Sequence, residues 1–168
     1  MASDAADSST PLAYLGHSFA THTPMLTELV TDFTDEDWMK RPGDTSSAYW
    51  LLGHLTYCRM VMLVLAGEMD QADLEAWRPI FGKGSKPTGT APIRMAELME
   101  AFEDLGGQLV EVFKRLESDR LDEEAFREFP GGSKTNGQAL AFLAFHDGYH
   151  VGQIGLIARL LGRRGLGR

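Results

Sequence analysis

Residues 135–162, TNGQALAFLAFHDGYHVGQIGLIARLLG, decide the fold. Thr135 followed three positions later by Gln138 has the form of a capping box, and the apolar residues that follow keep a helical spacing to about Leu161. His146 and His150 are four residues apart, so they lie one above the other on the same face of that helix. At about 100° per residue the same face carries Ala139, Phe142, Leu143, Gln153 and Ile157, which makes it the core-facing side. Imidazoles on such a face need partners for their polar nitrogens.

Upstream, SSAYWLLGHLTYCRMVMLVLAG (46–67) reads as a second long helix, capped by Ser46 or Ser47 and ended by Gly67. His54 shares its inward face with Trp50, Leu51, Tyr57, Cys58, Val61 and Leu65. The apolar run from Leu51 to Ala66 is interrupted by His54 and Arg59 and is shorter than the ~20 residues of a membrane span. It is expected to be a buried helix.

The remaining segments complete a bundle. A first helix is expected from Pro11 towards Val30, with Pro24 either kinking it or opening a second piece capped by Thr23. Thr34 to Met39 reads as a short capped turn, and residues 70–90, ending in Gly- and Pro-rich sequence, as a long loop. Pro92 opens a third helix, IRMAELMEAFEDLGGQLVEVFKRL, with a weak point at Gly106 and Gly107. FREFPGGSK (126–134) reads as a loop, and no strand or internal repeat is expected. The expectation is an all-α protein, an antiparallel four-helix bundle with a long loop between helices 2 and 3. Residues 1–10 are expected to be a disordered tail, 11–162 the bundle domain and 163–168 a flexible C-terminus.

Composition narrows the function classes. The chain of 168 residues carries a formal net charge of −8, which provides no basic footprint for nucleic acid. Arg159, Arg163, Arg164 and Arg168 read as a solvated helix end. One cysteine, Cys58, precludes an internal disulfide, and MASDAADSST has no secretory features, so a cytoplasmic protein with no membrane partner is expected.

An H-x-x-x-H pair alone is a weak metal signal. HDGYH is similar to a zinc-peptidase helix with Asp147 in place of the usual glutamate, but no His, Asp, Glu or Cys follows His150 to supply a third ligand. His54 is the upstream candidate. Gln153, one turn beyond His150, is placed to hydrogen-bond a ligand ring or else to satisfy a backbone group or water. Asp147 lies about 100° off the ligand face and is expected to orient something at the rim. Cys58 is read as core packing ahead of ligation, and Tyr57 and Tyr149 as flanking the histidine faces. His17 and His22, about 140° apart, are expected at the surface or a helix boundary. Small residues Ala141, Ala144, Gly148, Gly152 and Gly155 form a stripe that allows close helix packing, within the chain or between copies.

Taken together, W-x-x-x-H-L at Trp50 to Leu55 and H-x-x-x-H-x-G-Q-I from His146, followed by a basic residue and LG, resemble the DinB-like (YfiT-like) metalloenzyme family over nearly the whole chain. The resemblance implies a four-helix bundle whose metal ligands are His54, His146 and His150. It implies a divalent transition metal, zinc or nickel foremost, with open positions, and no assignable catalytic residue. Some members are thiol-dependent transferases or isomerases, so the expected partners are a small-molecule substrate and a low-molecular-weight thiol, in a homodimer. The isomerases usually carry a further C-terminal domain, whereas this sequence ends 18 residues after His150. The alternatives are a metal-dependent hydrolase and a non-enzymatic, stress-associated metal-binding bundle.

Overall fold

A computed structural model of the protein describes residues 11–85 and 89–165. The tail expected over 1–10 lies outside the described residues, as does Arg168. Four long helices make the body: α1 (Pro11–Leu29), α3 (Ala48–Ala66), α5 (Met95–Arg115) and α7 (Asn136–Leu160). Between them lie the short helices α2 (Asp35–Met39), α4 (Arg78–Phe81) and α6 (Ser118–Asp122).

The helix ends follow local chemistry. Ser47 Oγ accepts the Trp50 amide at the start of α3, and Gly67 closes that helix at φ +83°. Reciprocal capping boxes start α2, between Thr34 and Asp37, and α7, between Thr135 and Gln138. Pro24 lies within a continuous α1, so no second helix starts there. The third long helix begins at Met95 after Arg94, three residues later than Pro92 suggested.

Two expected loops contain structure. Residues 70–90 hold a 3₁₀ turn, Gln71–Leu74, and α4, which buries Leu74 and Phe81. The segment read as a strandless loop forms an antiparallel hairpin of β1 (Glu124–Phe129) and β2 (Ser133–Thr135). Glu124 is opposite Thr135 and Phe129 opposite Ser133, with an irregularity between. Only Ala125 and Phe129 of β1 are buried, a spacing of four that erases the alternation by which a strand is recognised.

The four-helix bundle is the observed architecture, with a refinement in its connectivity. α1 packs on α5 and α7, and α3 packs on the same two helices. The first and second long helices therefore occupy diagonal corners, and so do the third and fourth. Linkers through α2, and through α6 and the hairpin, carry the chain across the bundle instead of joining neighbours by tight turns. Every residue of α3 except Trp50 is buried. This helix is long and apolar enough to cross a membrane, but it is sequestered among the others as the core element.

Two glycines of the small-residue stripe of α7 pack against α1, while Ala141 and Gly152 are exposed. A Cβ on Gly148 would lie 2.9 Å from the His22 ring, and one on Gly155 would lie 3.4 Å from Leu29, both on α1. A different α7 face is left uncovered, where Phe145, Tyr149, Leu156 and Leu160 are each more than half exposed.

Candidate metal centre

The site begins with a missing side chain. A Cβ on Gly53 would lie 2.1 Å from the Phe81 ring, so the glycine lets α4 close onto α3. This contact places the Phe81 carbonyl 2.6 Å from His54 Nδ1. A carbonyl only accepts, so Nδ1 carries the proton and His54 Nε2 presents a lone pair. The Trp50 indole stacks on the His54 ring with centroids 5.0 Å apart. Its Nε1 donates to Ser85 Oγ at 3.2 Å.

The α7 pair meets this ring. His146 Nε2 is 3.4 Å from His54 Nε2 and 3.0 Å from His150 Nε2. His150 Nδ1 donates to Gln153 Oε1 at 2.6 Å, while Gln153 Nε2 donates to the Tyr149 hydroxyl at 3.0 Å. His150 is thereby held in the same tautomer as His54, and two Nε2 lone pairs face His146 Nε2. One N–H on His146 Nε2 cannot satisfy both, and His146 Nδ1 is buried without a hydrogen-bond partner. A cation among the three nitrogens would resolve the conflict.

Protonation is a poor substitute for a metal here. Burial, with the His150 and His54 rings adding to it, pushes His146 down to about 4. Burial also lowers His54, against the raising effect of the Phe81 carbonyl, and lowers His150. All three rings are neutral near pH 7, the form in which imidazole binds a metal. Ligand atoms of His54, Cys58 and His146 lie within 4.8 Å of one another, with Cys58 Sγ 3.7 Å from His54 Nε2. Burial pushes the Cys58 thiol up to about 12. Cys58 is therefore both core residue and potential sulfur donor. The donors could hold a divalent metal ion, through His54, His146 and Cys58 or through the three histidines.

Behind the histidines lies a buried ion pair that sequence reasoning missed. Asp147 is fully buried and does not stand at the rim as expected. Its Oδ1 accepts from Arg59 Nε at 3.0 Å, and its Oδ2 from Arg59 Nη2 at 3.2 Å and His22 Nδ1 at 3.0 Å. His22, expected at the surface or a boundary, is half-buried in this network, while His17 is exposed. Arg59 Nη1 donates to Thr23 Oγ1 and the Phe102 carbonyl, and the guanidinium lies 3.5 Å from the Phe102 ring centroid. A Cβ on Gly106 would come within 2.6 Å of Arg59 Nη1, so the apparent weak point of α5 makes room for the cation. Burial opposes ionisation of Asp147, but Arg59 and the His22 hydrogen bond outweigh it and hold the carboxyl below its ordinary range. An arginine inside an apolar run, and the sole acid within α7, were the available signals.

The pair ties α3 to α7, the helices carrying the histidines. At the C-terminus, Arg163 pairs with buried Asp37 at 2.5 Å, so it is more than part of a solvated helix end.

A cavity of about 490 Å³ opens over His54, Cys58 and His146. Its walls include Tyr57, Phe142, Lys83 and the hairpin residues Arg127, Glu128 and Phe129. The hairpin and the 70–90 segment, through Lys83, thus both contribute walls. Burial raises the Tyr57 phenol above its ordinary value, partly offset by the Arg127 charge.

A family model described as the DinB superfamily matches residues 18–154. No curated protein matches the chain. Among solved structures, the chain is similar to a DinB-like protein, YjoA, from Bacillus subtilis, with a TM-score of 0.61 at 18% identity, covering 92% of this chain and 96% of that one. It is also similar to YfiT from Bacillus subtilis, described as a probable metal-dependent hydrolase with an unusual four-helix bundle topology. There the TM-score is 0.65 at 17% identity, covering 98% of this chain and 95% of that one. At these identities the two likenesses speak to the fold.

Proposed function

The chain belongs to the DinB superfamily, and on that premise we propose that it is a metal-dependent enzyme that activates a small nucleophile, a low-molecular-weight thiol before water. The observation that carries this is the convergence of three Nε2 atoms with two of the rings locked in the metal-binding tautomer. A divalent metal held by His54, His146 and His150 would supply Lewis-acid activation and lower the pKa of a thiol or water brought to it.

The chain's own residues supply the surroundings. The Phe81 carbonyl and Gln153 keep the outer rings oriented, and Trp50 covers the His54 face. Tyr57 stays protonated near neutrality and is available to donate a hydrogen bond into the cavity. The apolar floor formed by Phe142 and Leu143 limits water around a bound reactant.

A metal-dependent hydrolase is the second reading, supported by the description of the YfiT structure. The uncovered α7 face supports a homodimer as the functional form. Elemental analysis of untagged protein, followed by turnover of electrophiles with bacillithiol, mycothiol or glutathione, tests the first reading. Activity without added thiol indicates the hydrolase. Stoichiometric metal with neither activity indicates a non-enzymatic metal-binding bundle, and metal-free protein that takes up none rejects the centre itself.

A further inference from the structure

The cavity mouth runs against the charge of the rest of the molecule. The chain carries a formal charge of −8, yet Lys83 and Arg127 stand at this opening with Glu128 as the one acid beside them. Neither cation has an ion-pair partner among the described residues, nor do Arg41, Arg78, Lys134 and Arg159, but only Lys83 and Arg127 line this cavity.

Arg127 is positioned by aromatic rings. Its guanidinium carbon lies 4.7 Å from the Phe129 ring centroid and 5.6 Å from that of Phe126. Stacking of this kind orients the guanidinium while leaving its N–H fork without a carboxylate partner. The volume of about 490 Å³ suits a small molecule.

We propose that this cavity binds a small carboxylate, whose anionic end is held by Arg127 and Lys83 while its opposite end reaches the histidine cluster. The second half of that placement rests on the metal centre proposed above. The first half depends only on the two cations. Bidentate guanidinium recognition favours the planar carboxylate over a neutral group of the same size, and Glu128 limits the rim to one net positive charge.

Two matched thiols test the site. Protein loaded with Co²⁺ is titrated with 3-mercaptopropionate and with 2-mercaptoethanol, following the sulfur-to-cobalt absorption. The expected result is about tenfold tighter binding of the mercaptocarboxylate, the scale of one charge-assisted hydrogen bond. In Arg127→Gln/Lys83→Gln that preference falls to less than about twofold, with 2-mercaptoethanol binding unchanged. Equal affinities in the unaltered protein, or a preference that survives in the variant, overturn the carboxylate site.

If the protein takes up no Co²⁺, the metal centre fails and the carboxylate site is decided on metal-free protein. There, butyrate titration should shift backbone amide resonances of residues 124–135, and the double variant should abolish the shifts. No shift in the unaltered protein overturns the carboxylate site.

Discussion

Phe81 occupies the space that a side chain at Gly53 would fill, with ring atoms 2.1 Å from the position of the missing Cβ. The tight approach allows the Phe81 carbonyl to hold His54 from 27 positions away in sequence. Gly53→Ala should therefore overpack a fully buried ring and lower stability by about 1–3 kcal/mol. Urea unfolding reads the loss. A parallel drop in metal affinity, with His54 itself unchanged, would show the backbone contact acting on the site.

His54→Ala, His146→Ala and His150→Ala should each reduce bound zinc or nickel from stoichiometric to trace levels, while Cys58→Ser retains it. Mass-spectrometric metal analysis of dialysed protein checks the series. Loss of metal in Cys58→Ser and its retention in His150→Ala would instead assign the ion to His54, Cys58 and His146.

The buried pair behind the site should be costly to half-remove. Arg59→Met leaves Asp147 and His22 without the guanidinium, at a cost of about 3–5 kcal/mol. The double variant Arg59→Met/Asp147→Leu should recover much of that stability. Denaturant midpoints for the two proteins decide the matter, and equal losses in both would mean that packing, not charge, dominates.

Stability should fall with acid at Asp37. Hydrogen bonds from the Thr34 backbone and hydroxyl, helped by Arg163, hold this carboxyl below its ordinary range despite burial. The folded pKa thus lies below the unfolded one. The contribution is fully present above the unfolded value and disappears as pH falls through the depressed folded value. Asp37→Asn should be less stable near neutrality and flatten the acid limb of the stability profile below about pH 4. Thermal unfolding across pH 2.5–7, with Lys40 and Arg163 intact, measures it.

If the protein is the homodimer proposed above, Phe145→Glu on the uncovered face of α7 should convert it into a monomer. Light scattering provides the mass. A dimer that persists would move the interface elsewhere.

What could be foreseen was local. The caps at Ser47 and Thr135, the αL stop at Gly67 and the one-turn spacing of His146 and His150 depend on a few adjacent residues, and each is visible in the chain. The hairpin was hidden because β1 buries residues four apart, a helical interval worn by a strand. The Arg59 network required matching a cation on α3 with an acid 88 positions later and a histidine on α1, and no short-range pattern links them. Gly106 reads in the sequence as a weak point of its helix, whereas it makes room for Arg59 from α3, as Gly53 makes room for Phe81.

The diagonal arrangement of the helices has a temporal consequence. His54 and His146 are 92 residues apart, and the chain between them includes α5 and both strands. Bringing their nitrogens together closes that whole stretch of chain into a loop, and so distant a contact carries a loop-closure cost. An ion bridging them would act as a clasp on the finished protein, and its capture would certify that assembly is complete.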